Sequence, residues 1–382
     1  MLMGVPAETA TGETRVAVTP ETAKKLIAQG HTVRVQSGAG LRASATDEAY
    51  QAAGAEITDA AGAFGAEMVL KVRNPSPAEI AAMKPGTVLV GMLEPFNADG
   101  LQRLAAAHLT AFALEAAPRT TRAQSMDVLS SQANIAGYKA VMIAADQYQR
   151  FFPMLMTAAG TVKAARVVVL GVGVAGLQAI TTAKRLGAVI EASDVRPSVK
   201  EQVESLGGKF IEVSYDTDEE KEAAQGVGGY AKPMPPSWLA RQQVEVAKRV
   251  AQADIVISTA LIPGRAAPTL ITEDMVKSMK PGSVIIDMAA GKGAPNPDGS
   301  VGGNCPLTEA DKVVVKHGVT LVGHTNLAAL VPADASALYA RNLLDFLKLV
   351  IDKEGQFQLN LEDDIVAACL MCNAGEVVRK NG

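Results

Sequence analysis

The chain has 382 residues, enough for two domains at about 100–200 residues each, and with 48% hydrophobic residues it can build two ordinary cores. Its net charge of −4, without a Lys/Arg-rich tract, argues against a nucleic-acid partner. No stretch reaches the ~18 apolar residues that span a bilayer, the N-terminus has neither the basic start nor the apolar run of a signal peptide, and three cysteines suit a reducing cytoplasm better than a disulfide framework.

Short apolar strands alternate with helical patterns along the whole chain, which predicts an α/β protein with parallel sheets. "MLMGVP" is the first strand. "VTPETAKKLIAQG" is a helix with Thr19 as N-cap, Pro20 at its first position and Gly30 as its stop. "HTVRVQSG", "AEMVLKVRNP", "GTVLVGML" and "LTAFALE" continue the strand series to about Glu115. Next comes "PRTTRAQSMDVLSSQANIAGYKAV", which packs Arg119, Arg122, Gln124, Ser125, Asp127 and Ser130 just ahead of a helix, without a His or a Cys. Ser125 could serve simply as the N-cap of that helix.

A second series opens at "ARVVVLG". It is followed by the helix "VAGLQAITTAKRLG", the strand "AVIEASD", the helix "VEVAKRVAQ" and the strand "ADIVISTA". The helix "TEDMVKSMKPG", the strand "SVIIDMAA" and a last strand "GVTLVGHTN" complete it. The amphipathic helix "ASALYARNLLDFLKLVID" then stands without a strand of its own, which suggests that it packs back on the first domain. The division expected is an N-terminal α/β domain over residues 1–130, completed by 322–382, and a dinucleotide-binding domain over 131–321. Both are expected to be Rossmann-like, with a cleft between them. Residues 212–236 read as neither strand nor helix, either a functional lid carrying Tyr230 or a surface excursion. Cys369 and Cys372 form a C-x-x-C, but with no second pair and no nearby His a metal site is not expected.

Gly171, Gly173 and Gly176 form a G-x-G-x-x-G that directly follows a β-branched strand and opens a helix, the context in which the pattern signals dinucleotide binding. Gly173 would let the backbone approach a pyrophosphate held at the helix N-terminus. Asp194, about 20 residues on, can accept from the adenosine ribose, and its charge favours NAD over NADP, a preference that Arg196 tempers. Val195 lies between them. The strand ends "STALIPGR", with Thr259, Ala260 and Leu261, and "DMAAG" are expected to face the nicotinamide half.

"GVPAETATGETRVAVTP", "LKVRNPSP", the Gly171 turn and "STALIPGR" resemble the superfamily of alanine dehydrogenase and the NAD(H)-binding component of nicotinamide nucleotide transhydrogenase, over essentially the whole chain. "RAQSMDVLSSQANIAGYKAV", "GGYAKPM" and "GGNCPLT" resemble the transhydrogenase branch in particular. Oxidative deamination of alanine needs proton-moving groups, and the dehydrogenases are expected to carry a His where this chain has Glu94 and an Asp where it has Gly291. Lys71 and Arg15, which would hold a substrate carboxylate in those enzymes, read here as inherited scaffold. Transhydrogenation needs no base for the transferring step, but two nicotinamides held at roughly 3–3.5 Å with aligned faces. The resemblance implies that Arg119, Asp127 and Ser130 hold the NAD(H) nicotinamide and its ribose. By the same resemblance Gln124 reaches NADP(H) on a partner subunit, and Tyr230 rides a loop that closes over NAD(H). It also implies a homodimer, peripheral on the inner face of a membrane through an NADP(H)-binding subunit and a membrane-spanning proton-channel subunit. The reaction implied is NADH + NADP⁺ ⇌ NAD⁺ + NADPH, of the Si-specific/Re-specific proton-translocating type. Alternatives are an amino-acid dehydrogenase of the alanine type and a non-catalytic NAD(H) sensor. "GKGAPNPDGSV", over residues 291–301, is an insertion relative to the family pattern.

Overall fold

Residues 1–225 and 233–379 are described in the computed structural model of the chain. In chain order the first strands are β1 (Leu2–Val5), β2 (Thr32–Gln36), β3 (Glu56–Thr58), β4 (Met68–Leu70), β5 (Val88–Gly91) and β6 (Thr110–Ala113). A short hairpin follows, β7 (Leu155–Thr157) and β8 (Gly160–Val162). Next are β9 (Arg166–Leu170), β10 (Val189–Ser193), β11 (Lys209–Phe210), β12 (Ile255–Ser258), β13 (Val284–Asp287), β14 (Val313–Lys316) and β15 (Val319–Val322). The chain ends with β16 (Leu370–Asn373) and β17 (Glu376–Val377).

The chain divides into two units, residues 1–132 with 328–382, and residues 133–327. The first is built on a sheet of order β17-β16-β6-β5-β4-β1-β2-β3, the second on one of order β11-β10-β9-β12-β13-β15-β14. The pairings from β6 to β3 and from β11 to β15 are parallel. Strand order reverses between β4 and β1 in the first sheet and between β9 and β12 in the second. Those reversals are where α/β sheets open a crevice at their carboxyl ends.

Local signals in the sequence explain many element boundaries. Thr19 caps the helix Pro20–Ala28 in a capping box with Thr22, and Gly30 leaves it at φ +89°. Strands β9, β12 and β13 are continuous β-branched runs because both faces of their sheet are covered. The helix Pro332–Val350 belongs to the first unit, where Phe346 packs on Phe112 with ring centroids 5.4 Å apart.

Three expectations are corrected. Both sheets carry antiparallel edges: β14 pairs with β15 through His317 and Gly318, both at positive φ as a tight hairpin turn requires, and β16 pairs with β6 and β17. A strand's direction is set by its connections and not by its own side chains, so these short runs do not show it. The segment 212–236 is not structureless among its described residues, because a helix forms over Asp218–Gln225. Three acids in its first turn suit the positive end of the helix, and one of them, buried Glu220, pairs with Arg241 at 2.7 Å. Tyr230 lies outside the described residues. Finally, the helix after Met126 is capped by Asp127 and not by Ser125: Asp127 Oδ1 accepts from the Ser130 amide at 2.9 Å.

Candidate functional site

In the second unit the crevice at the β9/β12 reversal is made of backbone. Gly171 leaves β9 at φ +95°, and a side chain there would meet Thr259 Oγ1 at 2.6 Å. Gly176 presses against the turn itself, since a Cβ would lie 2.0 Å from the Gly171 carbonyl oxygen. Gly137 allows the same intimacy from another helix, where a Cβ would fall 2.2 Å from the Ala175 carbonyl oxygen. Gly173 differs from all three. It is exposed, a Cβ on it would meet nothing within 4 Å, and it precedes the helix Val174–Arg185, which no side chain caps. Steric need explains the glycines at 171 and 176. At 173 the open space lies ahead of uncapped helix N–H groups, the arrangement that admits a phosphate.

Asp194, at the end of β10, is tied to this turn. Its Oδ2 accepts from the Val172 amide at 2.8 Å, and its two oxygens take the Arg196 guanidinium in a fork of 2.9 Å bonds. Arg196 Nη2 also donates to the Val172 carbonyl at 3.2 Å. The carboxylate that reads as a bare ribose acceptor is thus already charge-balanced by Arg196. Paired in this way, the carboxylate repels a nearby anion less than a lone acid would. The Val195 carbonyl accepts from Tyr215, whose ring stacks on Trp238 at 5.6 Å and 9°.

At the end of β12, Thr259 donates its hydroxyl to the Gly171 carbonyl at 2.8 Å, linking the two sides of the reversal. Ala260 is held by both its backbone groups, and beyond it Leu261 and Ile262 are exposed apolar side chains. Buried Asp287, at the end of β13, accepts from the amides of Ala289, Asn304 and Cys305 and from the Thr308 hydroxyl. Burial pushes its carboxyl up, and those bonds oppose the shift. Residues 291–301 fold into a small turn, with the Asn296 amide donating to Ser300 at 2.7 Å and its side chain to the Pro306 carbonyl at 2.9 Å.

The polar stretch of the first unit is ordered too. Ser130 donates its hydroxyl to Asp127 Oδ2 at 2.6 Å, so these two are brought into direct contact. Gln124 and Arg119 are exposed, and the Gln124 carbonyl accepts from the Asp127 amide at 3.3 Å. Arg122 is engaged elsewhere, with Asp363 at 2.7 Å and with Asp364. Asn342 fixes the backbone beneath, donating to the Ser125 carbonyl at 2.7 Å.

The crevice at the β4/β1 reversal is filled by charge. Lys71, 1% exposed, meets Glu8 at 3.1 Å and Glu79 at 3.3 Å. Arg15 meets Glu13 at 2.7 Å and Gln132 at 2.8 Å, and Arg73 meets Glu13 at 2.9 Å. Burial alone would raise the Glu13 carboxyl, but Arg15 and Arg73 hold it down at about 2. Burial raises the Glu8 carboxyl against the pull of Lys71. The sequence singles out Lys71 and Arg15 but not their acids, which lie 2 to 63 positions away. Asn304 and Asp287 lie in the stretches "GGNCPLT" and "DMAAG", but their roles escape a motif reading, because their partners are mostly backbone groups that only the fold assembles.

Among the described residues no cluster of His, Cys, Asp and Glu could hold a metal ion, and no helix is long and apolar enough to cross a membrane. Cys369 and Cys372 are buried free thiols that burial pushes up to about 12 and about 11.

A glycine turn at the strand-order reversal, an acid at the next strand end and a backbone-lined opposite wall define an α/β protein of the dinucleotide-binding class. Models of the alanine dehydrogenase/PNT N-terminal and C-terminal domains match residues 4–136 and 140–380, and the chain belongs to that family. It is 51% identical to a polypeptide of the NAD(P) transhydrogenase subunit alpha of Rhodospirillum rubrum, over 99% of this chain and 98% of that polypeptide. The crystal structure of transhydrogenase from Sinorhizobium meliloti superposes with a TM-score of 0.88 at 46% identity, covering 99% of this chain and all of that one. Alanine dehydrogenase of Bacillus subtilis is more distant, 34% identical over 87% of this chain and 81% of that protein.

Proposed function

We propose that this chain is the NAD(H)-binding subunit of a proton-translocating transhydrogenase. It presents NADH for direct hydride transfer to NADP⁺ held by a partner subunit, in the Si-specific/Re-specific manner. The observation that carries the reading is the open space at Gly173 ahead of an uncapped helix, with Thr259 and Ala260 on the adjoining strand. The pyrophosphate binds at Gly171–Gly176, the ribose hydroxyls reach Asp194, and the backbone of Val195 and Arg196 borders the adenosine. Thr259, Ala260 and Leu261 border the nicotinamide half.

Arg119, Asp127 and Ser130 hold the nicotinamide and its ribose, with Asp127 and Ser130 already orienting each other, and Gln124 reaches the partner's NADP(H). None of these groups needs to move a proton, because the hydride passes between cofactors and the protein supplies proximity and orientation. Tyr230 closes over the bound dinucleotide. The full complex adds an NADP(H)-binding subunit and a membrane-spanning proton channel, which place this chain on the cytoplasmic face of a membrane. The chain forms a homodimer, a state supported by the apolar Phe151, Met154 and Met156 exposed on and beside the β7–β8 hairpin.

The comparison with alanine dehydrogenase supports the same choice. Glu94 and Gly291 stand where that branch is expected to carry proton-moving residues, and Lys71 and Arg15 are paired with glutamates. The test mixes the chain with NADH and an NADP⁺-loaded partner, and separately with NAD⁺ and L-alanine. Transfer in the first mixture alone is expected. Alanine-dependent NADH formation without a partner overturns the proposal, and NADH binding without turnover in either supports a sensor. Gln124→Asn is expected to slow partnered transfer at least tenfold with NADH binding unchanged. The opposite pattern refutes its role.

A further inference from the structure

The "GGNCPLT" segment bears on the site through a residue that the dinucleotide-binding pattern does not include. Asn304 is fully buried, and its side-chain amide is satisfied at every polar atom it presents. Nδ2 donates to the Ala260 carbonyl at 2.9 Å while Oδ1 accepts from the Ala260 amide at 3.1 Å, so the carboxamide pairs with one residue's backbone as a neighbouring strand would. The second Nδ2 hydrogen goes to the Pro268 carbonyl at 2.9 Å. The Asn304 carbonyl accepts from Leu270 and Ile271 at 2.8 and 3.0 Å. One residue therefore pins both ends of the loop that carries Leu261 and Ile262.

The segment's other residues hold Asn304 itself. Asp287 Oδ1 accepts from the Asn304 amide at 3.1 Å. Gly303 makes room for that carboxylate, since a Cβ there would come within 2.4 Å of Asp287 Oδ2. Gly302 is equally constrained, with a Cβ falling 2.6 Å from the Pro306 carbonyl oxygen. The chain of contacts runs from Asp287 through Asn304 to Ala260. Thr259 continues it to the Gly171 carbonyl, crossing the ends of β13, β12 and β9.

We propose that Asn304 is a positioning residue for the nicotinamide half of the site: it never touches the dinucleotide, but sets the height of the Ala260–Ile262 backbone against it. The inference rests on the NAD(H) reading above and adds a separable consequence. Adenosine binding depends on the Gly171 turn and Asp194, and nicotinamide binding depends on Asn304.

The test uses the full chain and two probes, NADH and 5′-AMP, titrated against wild type, Asn304→Leu and Asn304→Asp, with thermal unfolding as the check of folding. Asn304→Leu removes all three side-chain bonds. Asn304→Asp keeps the size and the acceptor for the Ala260 amide but sets a carboxylate against two carbonyls. In whichever variant folds, the Kd for NADH is expected to rise at least tenfold while that for 5′-AMP stays within twofold. Equal losses for both probes, or no loss for either, overturn the proposal. Amide exchange in the unmodified chain gives a reading free of variants: Ala260 is expected to exchange as slowly as the β12 core, and exchange at the rate of an open loop overturns the clamp. Wild type that binds neither probe would refute the NAD(H) reading itself.

Discussion

The two units share a plan and use it oppositely. Each has a largely parallel sheet with an antiparallel edge, its parallel strands reversing order once, and each reversal gathers residues from the segments that follow the strands. In the first unit the loops supply Glu8, Glu13, Arg15 and Lys71 and the helix Pro77–Ala81 adds Glu79, a set of buried charges that satisfy one another. In the second they supply glycines, Thr259 and the backbone of Ala260, held from behind by Asn304 and Asp287. A crevice filled with paired side chains has little left to offer a ligand. One lined by backbone and kept clear at Gly173 can take a pyrophosphate against oriented N–H groups. Topology marks where a site can be, and the residue types at the strand ends decide whether it is one.

The largest effect is expected from breaking the charged plug. Lys71→Met leaves Glu8 and Glu79 buried without their cation and is expected to cost about 3–5 kcal/mol of stability in thermal or urea unfolding. Adding Glu8→Gln should recover part of it. NADH affinity of the folded fraction should not change, and a parallel loss of affinity would blur the contrast between the units. Gly176→Ala attacks the other unit by overpacking, because its Cβ would lie 2.0 Å from the Gly171 carbonyl oxygen. About 1–3 kcal/mol should be lost on unfolding, together with NADH binding.

Glu115 gives a pH-dependent test within the first unit. One carboxylate oxygen accepts from the Glu94 amide at 2.8 Å, while Oε2 is buried without a hydrogen bond. Burial pushes this carboxyl up to about 7 from an ordinary 4.5. The folded chain then holds the proton more tightly than the unfolded one. Its contribution to stability is full below about pH 4.5 and is lost as pH rises through 7. Glu115→Gln is expected to raise stability at pH 8 by on the order of 2–3 kcal/mol and to change little at pH 4.5. Equal effects at both pH values would show that the carboxyl is not titrating as described.

How far the sequence reveals this contrast depends on the range of the signals. Thr19, Gly30 and the Gly171 turn are legible because cap, stop and phosphate loop are written within a few residues. The role of Asp127 as a cap is equally local, yet Ser125 competes for it, and only the helix start at Val128 decides. The pairing of Asp194 with Arg196 turns on side-chain direction, which spacing does not carry. Lys71 with Glu8, and Asn304 with Ala260, join residues 63 and 44 positions apart, so nothing in either segment alone announces them. The antiparallel pairing of β14 and β16 is not legible because a strand's direction is set by its connections and not by its own side chains.

Gly173 separates structure from binding most cleanly, because an added Cβ meets no protein atom within 4 Å and the residue's φ of −82° suits alanine. Gly173→Ala should unfold within about 1 kcal/mol of wild type, the scale of an N-cap change. The decisive measurement is its NADH titration beside wild type. Binding weakened at least tenfold in a chain of unchanged stability is the predicted result. Unchanged NADH affinity would contradict the placement of the dinucleotide at this turn.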